Sequence, residues 1–294
     1  MRAPRGIVCP LATPLDDDER VDEAALRGLL DHVLPDIDGV LALGSSAEYA
    51  LLRPDVAERV LDIVLEHVGG RVPVYVGSGD TGTGRAIDHL RRLARPGVEC
   101  VVATSSYYYP LADQDALRGH FLALADAAPV PLVLYNIPQN TATNLSPSTV
   151  GELAAHPNIV ALKDSWGDMF QFQEYMAVTP EAFPILQGRE QLAAASLWLG
   201  ADGVISALAN VAPQLLQELV AAVRSGDRSA ALLAQGRVSG VARMFDEGYW
   251  LSVLKVAIAG LGFGSGAAAR PLPRLNAEQV ARVLSLLPQV VSRD

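Results

Sequence analysis

The segment Ile159-Val160-Ala161-Leu162-Lys163-Asp164-Ser165 is an apolar run of strand length that ends abruptly in a lysine. Short apolar runs of this kind are typical of parallel strands that are covered on both faces. A lysine at the end of such a strand lies at the rim of a dry core, where burial disfavours the charged form and favours an amine that attacks carbonyls. The alternative is that Lys163 simply extends into solvent. The chain contains only one other lysine, Lys255, and this scarcity favours a chemical role for Lys163.

Length and composition restrict the class of protein. The 294 residues are enough for one α/β barrel, which commonly runs to about 250 residues. Half of the residues are hydrophobic and the net charge is −10, which argues against disorder and against a nucleic-acid or anionic-membrane partner. Cys9 and Cys100 lie inside apolar runs and support neither a disulfide framework nor a metal site. With no signal-peptide pattern and no membrane-length apolar stretch, we expect a soluble cytoplasmic protein.

Apolar runs alternate with amphipathic segments along most of the chain. The eight predicted strands are Ile7–Ala12, Gly39–Leu43, Val72–Val76, Glu99–Ala103, Pro131–Tyr135, Ile159–Lys163, Phe183–Gln187 and Gly203–Ala207. The predicted helices between them, with apolar residues at helical spacing, are Asp22–Leu34, Pro54–Val68, Gly84–Ala94, Asp115–Ala127, Pro147–Ala155, Met169–Ala177 and Gln191–Leu199. Eight such units favour a closed (β/α)8 TIM barrel over an open sheet.

After the eighth predicted strand the pattern becomes helical only. The predicted helices are Pro213–Arg224, Arg228–Asp246, Tyr249–Leu261 and Ala277–Leu287. We therefore predict a catalytic barrel over residues 1–224 and a C-terminal helical extension over residues 225–294. The glycine-rich run 260–266 follows a predicted helix and lacks the Lys-Ser/Thr ending of a phosphate loop, so we interpret it as a helix end and a turn.

Several chemically active side chains follow the predicted strands. In a (β/α)8 barrel the active site lies at the C-terminal ends of the strands. Ser45 and Ser46 follow strand two, Tyr135 ends strand five and Lys163 ends strand six. Taken singly, a tyrosine such as Tyr135 is more often a core residue and serines such as Ser45 and Ser46 are more often helix caps, while Glu48 is a supporting or helix-start residue. Together they provide a nucleophilic amine, a proton relay and donors for a carboxylate.

These residues carry a family pattern. The chain resembles, along essentially its whole length, the dihydrodipicolinate synthase and N-acetylneuraminate lyase family of pyruvate-dependent class I aldolases. The family's Gly-Thr/Ser-Thr/Ser-Gly-Glu loop corresponds to residues 44–48, its tyrosine motif to residues 135–138, and its Schiff-base signature to residues 160–168. Its Gly-Val-Ile-Ser motif corresponds to residues 203–206, followed by Asn210 and Pro213.

The resemblance implies a covalent mechanism without a metal or a separate cofactor. Lys163 would form an imine with the ketone of pyruvate or of another small-molecule 2-keto acid. Ser45 and Ser46, with their backbone N–H groups, would hold the carboxylate. Tyr135 would relay protons together with Ser45 and with a tyrosine from the run 107–109.

The tyrosine run also bears on assembly. In the family the last tyrosine of the relay reaches into a neighbouring subunit's site, which implies a homotetramer built as a dimer of dimers. We favour Tyr109 for this role, and then Tyr108. The alternative is that the run is simply a contact surface, since exposed aromatic residues are common at interfaces.

Departures from the family pattern narrow the substrate. Dihydrodipicolinate synthases carry a carboxylate-clamping arginine where this chain has Asn140, and a neutral amide cannot replace a bidentate guanidinium. Arg189 is unusual in the pattern; it either meets a terminal carboxylate or faces outward at a helix start. In the sialate lyase branch several positions contact the hydroxylated tail of the substrate, and in this chain they are Ser165, Gly188, Glu190 and Ser206. The other residues predicted to bind substrate are Ser46, Tyr108, Asn140 and Ile205.

We therefore predict a Schiff-base lyase that cleaves a 2-keto-3-deoxy sugar acid or 4-hydroxy-2-oxoglutarate to pyruvate and an aldehyde. The same imine would also serve a 2-keto-3-deoxy acid dehydratase or a dihydrodipicolinate synthase. The alternative from a different functional class is a catalytically inactive barrel that only binds a ligand. A metal-dependent class II aldolase is a weaker rival, because the five histidines fall in predicted helices or helix ends rather than at strand ends.

Overall fold

At the centre of the structure, a computed structural model that describes residues 3–287, is a closed barrel of eight parallel strands. The strands are β1 (Gly6–Pro10), β2 (Gly39–Ala42), β3 (Val74–Ser78), β4 (Val98–Thr104), β5 (Leu132–Asn136), β6 (Ile159–Asp164), β7 (Ile185–Gln187) and β8 (Gly203–Ile205). They follow one another around the barrel in chain order, and β8 pairs with β1 to close the sheet. The predicted (β/α)8 barrel is confirmed, and every predicted strand overlaps an observed one.

Helices surround this barrel and continue beyond it. Within residues 3–287 they are α1 (Glu23–Val33), α2 (Pro54–Val68), α3 (Thr83–Leu93), α4 (Gln114–Ala127), α5 (Pro138–Thr141), α6 (Pro147–Leu153), α7 (Met169–Val178), α8 (Ala193–Trp198), α9 (Pro213–Arg224), α10 (Arg228–Ala242), α11 (Trp250–Gly260) and α12 (Ala277–Leu286). Several helices begin at residues that favour a helix start. The Asp22 side chain caps α1 by accepting from the Ala25 N–H, and Pro54 is the first residue of α2.

Among the local elements that differ from the prediction, three bear on the site. The single turn α5 was not predicted, because four residues are too few to show a helical period. The predicted helix 191–199 starts as a 3-10 turn, Glu190–Leu192, before α8 begins. The predicted helix 228–246 ends at Ala242 and continues as the 3-10 segment Arg243–Glu247. All three lie at the C-terminal mouth of the barrel or next to it.

Alternation along the strands divides the buried side chains into two cores. Side chains on the outward face of the strands, including Cys9, pack beneath the helices in a large cluster. Because both faces are covered, the strands are continuously apolar, and this is why short apolar runs predicted them. Side chains directed into the barrel form a second, smaller cluster, which consists of Val8, Leu41, Tyr75, Cys100, Val102, Val133, Tyr135, Ile137, Ala161, Leu186 and Ile205.

The C-terminal helices pack against the outside and the mouth of the barrel. Helix α10 lies against α8 and α9, and α11 lies against α12. Helix α11 ends at Gly260, so the glycine-rich run 260–266 is a helix end and a turn, as predicted. The domain boundary at residues 224 and 225 stays a prediction, and residues 288–294 of the predicted extension lie outside the described residues. No helix within residues 3–287 combines the length and the apolar character that a membrane crossing needs.

Candidate active site

The register of β5 and β6 places Tyr135 directly beside Lys163. Both side chains point into the barrel, because residues paired in register share a face of the sheet. Lys163 is only 3% exposed, and its Nζ lies over the Tyr135 ring, 3.9 Å from the ring centroid. The amine and the phenol that the sequence predicted are therefore in contact at the C-terminal end of the barrel.

The turn after β2 brings two serines to the same place. Residues Ser45–Ala47 form a 3-10 turn, and Ser45 Oγ lies 3.5 Å from Tyr135 Oη. Burial raises the pKa of the Tyr135 phenol, but the charge of Lys163 and the hydrogen bond with Ser45 outweigh burial and lower the pKa below its usual value. A phenol with a lowered pKa transfers its proton more readily, as a proton relay requires.

A cavity of about 290 Å³ opens above Lys163 and Tyr135. Its wall contains most of the residues predicted from the sequence, namely Ser45, Ser46, Asn140, Ser165, Gly188, Glu190 and Ile205. These come from the ends of β2, β5, β6, β7 and β8, so the strand order of the barrel gathers them. The substrate roles predicted for them stay predictions, but their placement around one buried amine agrees with those roles.

Other lining residues were missed in the sequence. Gln139 lies on α5, which was too short to predict. Phe245, Asp246 and Trp250 come from the segment between α10 and α11 and from the start of α11. Helical periodicity in the extension indicates which face is buried, but it does not indicate that the segment lies over the barrel mouth.

Ser206 lies behind the cavity wall. It is fully buried, and its hydroxyl donates to Glu190 Oε2 at 3.0 Å and accepts from the Leu208 N–H at 3.1 Å. The predicted contact of Ser206 with substrate stays a prediction, whereas its contact with Glu190 is present in the structure. Burial raises the pKa of the Glu190 carboxyl, and the hydrogen bond from Ser206 works in the opposite direction. Glu190 is thus a buried, fixed oxygen pair facing the cavity.

Tyr108 and Tyr109 lie outside the cavity of their own chain. They are 77% and 70% exposed, and their rings meet edge to face with centroids 4.8 Å apart. Tyr108 has a φ of 78°, which is unusual for a residue other than glycine. Tyr107 is half-buried and lines a neighbouring cavity together with Ser45. Neither exposed tyrosine reaches Lys163 within one chain.

A buried polar network supports the strand ends from the outer face of the sheet. Asn136 lies beside Asp164 in the β5–β6 register and donates to its carboxylate at 2.8 Å. The Asn136 side-chain oxygen accepts from the Leu145 N–H at 3.1 Å, and the Tyr175 hydroxyl donates to the Leu145 carbonyl at 2.6 Å. Each of the two strands thus carries a site residue inward and a network residue outward, so the network fixes the backbone that positions the site.

Asp164→Asn is expected to change how stability depends on pH. Burial raises the pKa of the Asp164 carboxyl from 3.8 to about 6, against the bond from Asn136. Between these pH values the folded state holds the extra proton, so wild-type stability falls as pH rises from about 4 to about 6 and then levels off. The variant should therefore gain roughly 2–3 kcal/mol over wild type at pH 8 and nothing at pH 4.

Urea unfolding at fixed protein concentration at pH 4, 6 and 8 measures this difference. Asp17→Asn, which changes an exposed loop carboxylate, is the matched control. Parallel stability curves for wild type and Asp164→Asn would contradict the assignment.

The second lysine of the chain is buried beneath the loop that carries the serines. Lys255 on α11 is 1% exposed, and its Nζ lies 2.9 Å from Glu48 Oε1. The amine also donates to the Thr13 carbonyl, and the other Glu48 oxygen accepts from the Ala269 N–H. Burial lowers the pKa of Lys255, and the negative charge of Glu48 opposes that shift.

Glu48 does not start a helix. It ends the 3-10 turn after β2 with a φ of 61°, a left-handed conformation that costs free energy for a residue with a side chain. The ion pair with Lys255 thus joins residues 44–48, the serine loop, to the C-terminal extension and holds this loop in a strained geometry. Glu48 is the supporting residue that the sequence offered as one of two roles.

A metal site is not evident in the described part of the chain. Within residues 3–287, no group of three or more His, Cys, Asp and Glu side chains is arranged to hold a metal ion.

The comparisons with known proteins agree with this geometry. A family model described as the dihydrodipicolinate synthetase family matches residues 3–290. The chain belongs to this family. The 4-hydroxy-tetrahydrodipicolinate synthase of an Exiguobacterium species is 34% identical to it over 286 residues, which cover 97% of each protein.

Solved structures of the dihydrodipicolinate synthetase family share the fold. YagE of E. coli K12, a prophage protein of this family in complex with pyruvate, matches with a TM-score of 0.90 and 28% identity over 96% of this chain and 97% of YagE. Dihydrodipicolinate synthase DapA-2 of Bacillus anthracis matches with a TM-score of 0.93 and 26% identity, and the match covers 98% of this chain and 100% of DapA-2. The resemblance seen in the sequence is confirmed, and the protein is a lyase of the pyruvate-dependent aldolase family.

Proposed function

We propose that the protein is a Schiff-base lyase that cleaves a 2-keto-3-deoxy sugar acid or 4-hydroxy-2-oxoglutarate to pyruvate and an aldehyde. The observation that carries the proposal is the contact between the buried Lys163 amine and the Tyr135 ring, with Nζ 3.9 Å from the ring centroid. The amine is the nucleophile, and the phenol, whose pKa is lowered, is the group that exchanges protons with the substrate beside it.

The reaction begins with attack of the Lys163 amine on the substrate ketone. Ser45 and Ser46 hold the neighbouring carboxylate, and Tyr135 protonates the departing hydroxyl as water leaves and the imine forms. Tyr135 then accepts the proton of the C4 hydroxyl while the C3–C4 bond breaks and the electron pair moves into the imine. The aldehyde leaves, the enamine takes a proton at C3, and hydrolysis releases pyruvate and the free amine.

The wall beyond Lys163 supports a hydroxylated tail. Asn140, which is exposed at the end of α5, stands where the synthases have an arginine clamp. Near it the cavity is lined by groups that bind hydroxyls, namely Gln139, Ser165, Glu190 and Gln191. Amide, hydroxyl and carboxylate groups exchange hydrogen bonds with several hydroxyls without requiring a charged partner.

A dihydrodipicolinate synthase is the second candidate. The relative from Exiguobacterium is named 4-hydroxy-tetrahydrodipicolinate synthase and is similar over nearly the whole chain. In that reaction the pyruvate enamine on Lys163 adds to an aldehyde instead of being released. A dehydratase uses the same imine to expel a hydroxyl, so both rivals share the first step and differ in the fate of the enamine.

A substrate panel separates these functions. Purified protein is incubated with 2-keto-3-deoxy sugar acids and with 4-hydroxy-2-oxoglutarate while pyruvate is measured by a coupled enzyme. Parallel reactions contain pyruvate with aspartate semialdehyde, and all products are analysed by mass spectrometry. The proposal predicts pyruvate release that Lys163→Ala removes; loss of water without pyruvate indicates a dehydratase, condensation indicates the synthase, and binding without turnover indicates an inactive barrel.

Tyr135→Phe tests the proton relay. Phenylalanine keeps the ring against Lys163 but removes the hydroxyl, so kcat should fall by about 10²–10³-fold while the keto acid still binds. Steady-state kinetics on the best substrate of the panel measures the loss, with circular dichroism as the check on folding. A kcat within about threefold of wild type would show that another group moves the proton.

We also propose that the protein is an oligomer in which one tyrosine of the run 107–109 completes a neighbouring subunit's relay. Tyr109 was favoured from the sequence and stays a prediction. The positive φ of Tyr108 is a reason to test it as well, since such strain persists at functional positions. Complementation between inactive Lys163→Ala and tyrosine variants is the test, because mixed oligomers regain activity only if the tyrosine acts across the interface.

A further inference from the structure

Arg189 faces the cavity. Among the described residues that line the cavity, Lys163 and Arg189 are the two cationic side chains. Arg189 immediately precedes the 3-10 turn Glu190–Leu192, but its side chain makes no capping bond there. Instead it folds back over the loop that follows β6. Of the two roles left open by the sequence, the outward-facing helix-start arginine therefore does not match the structure.

The Arg189 side chain is held by one edge. Its Nε donates to the Ser165 carbonyl at 3.0 Å, and the same carbonyl accepts from Gln139 Nε2 at 2.9 Å. The side chain lies across Gly167, where an added Cβ would contact Arg189 Nε at 3.6 Å. Gly167 has a φ of 92°, a conformation that suits glycine, so the loop provides a flat surface for the guanidinium. The arginine is thus fixed between the ends of β5, β6 and β7.

Within the described residues, no carboxylate lies within ion-pair distance of this guanidinium. Arg59 and Arg118 bind carboxylates at 2.6 and 2.7 Å, whereas Arg189 forms no ion pair within residues 3–287. The charge of Arg189 acts on the carboxyls of Glu190 and Asp164, but neither forms an ion pair with it, since Glu190 accepts from the Ser206 hydroxyl and Asp164 accepts from Asn136. A half-buried cation without a partner is unfavourable and indicates an anion that arrives with the ligand.

The geometry of the fork specifies the anion. With Nε bound to Ser165, the two Nη groups form the remaining pair of parallel donors, and a planar carboxylate matches such a pair end-on. We propose that Arg189 binds a second carboxylate at the far end of the keto acid, so that the preferred substrate is a dicarboxylate. The near carboxylate then lies at Ser45 and Ser46, and the hydroxylated part of the tail lies between the two ends.

This inference rests on the proposed imine chemistry, and it narrows the substrate. Cleavage of a dicarboxylate gives pyruvate and an aldehyde that itself carries a carboxylate, as glyoxylate does when 4-hydroxy-2-oxoglutarate is cleaved. In a condensation the same anchor favours an aldehyde partner with a carboxylate. Neutral 2-keto-3-deoxy sugar tails leave the Arg189 fork without a partner and become the poorer substrates.

Imine trapping with matched ligands tests the anchor without requiring turnover. The protein is treated with borohydride over a concentration series of 2-oxoglutarate, and separately of 2-oxopentanoate, which has the same chain length but no second carboxylate. A six-carbon pair, 2-oxoadipate and 2-oxohexanoate, covers a longer reach. Mass spectrometry gives the half-saturating concentration for each ligand, and the readout is the ratio within each pair.

In wild type, the dicarboxylate of at least one pair should half-saturate at a concentration about tenfold or more below that of its neutral partner, as one charge-assisted bidentate contact provides. Arg189→Met should reduce this ratio to about one, and Arg189→Lys should retain part of it. Arg92→Met on α3 is the matched control that removes a cation elsewhere.

Two results would overturn the inference: equal half-saturation within both pairs in wild type, or a preference that survives Arg189→Met. Trapping with pyruvate separates the two levels of the argument. If pyruvate forms no adduct, the proposed function itself fails; if pyruvate forms one and both ratios equal one, only the distal carboxylate is wrong.

Discussion

Lys163→Ala is expected to reduce turnover by roughly 10⁴-fold or more, because the variant lacks the amine that is proposed to form the covalent bond to substrate. The amine is buried and lies against Tyr135, and Lys255, the other lysine in the sequence, is held by Glu48 beneath the serine loop. Lys255 is therefore not available to replace Lys163 as the nucleophilic amine. The keto acid should still bind weakly through Ser45 and Ser46, so the loss should appear in kcat more than in binding.

Lys163→Arg is the matched variant for this experiment. It keeps a positive charge on a long side chain, but a guanidinium does not form the imine. If Lys163 acts only through its charge, the arginine variant recovers much of the activity that alanine loses. If Lys163 acts as a nucleophile, both variants are inactive. Steady-state kinetics for both proteins, with circular dichroism as the check on folding, distinguishes the two roles.

Lys255→Met should have the largest effect on stability. Methionine is close in shape to the lysine stem, but the change leaves the Glu48 carboxylate buried without its cation. Removing one partner of a buried ion pair typically costs about 3–5 kcal/mol. Because Glu48 ends the turn that carries Ser45 and Ser46, activity should also fall at temperatures where the variant remains folded. Urea unfolding and kinetics on the same preparation measure both effects.

The double variant Glu48→Gln with Lys255→Met distinguishes an ion pair from simple packing. It removes both charges, so it should be more stable than Lys255→Met alone, and the two single changes should be strongly non-additive. Additive losses in this double-mutant cycle would mean that the pair contributes through packing and not through charge. Glu48→Gln alone is expected to be destabilised, because it leaves the Lys255 ammonium buried beside a neutral amide.

The parts of the fold that were predictable are those in which one physical cause dominates. Burial on both faces makes parallel strands apolar throughout, and this gave all eight strands and the closed barrel. The contact between Lys163 and Tyr135, the proposed catalytic pair, followed because they end adjacent strands and β5 and β6 pair in register. Resemblance to a family then assigned their roles, which neither residue shows alone.

The parts that were missed depend on contacts between segments distant in sequence. Phe245 and Trp250 reach the cavity only because the C-terminal segment packs over the barrel mouth, and no local pattern encodes that placement. The partners Lys255 and Glu48 have the same origin, since each is an ordinary charged residue until the fold brings them within 2.9 Å. Arg189 was noticed, but its direction depends on the Ser165 carbonyl, a backbone group that the sequence does not reveal.

Imine formation at Lys163 is tested most directly by borohydride reduction of the wild-type protein in the presence of pyruvate, followed by peptide mapping. We expect one stable adduct per chain, with the mass of a reduced pyruvate imine, on the peptide that contains Lys163. An adduct on Lys255, or a wild-type protein that remains unmodified at saturating pyruvate, would contradict this expectation.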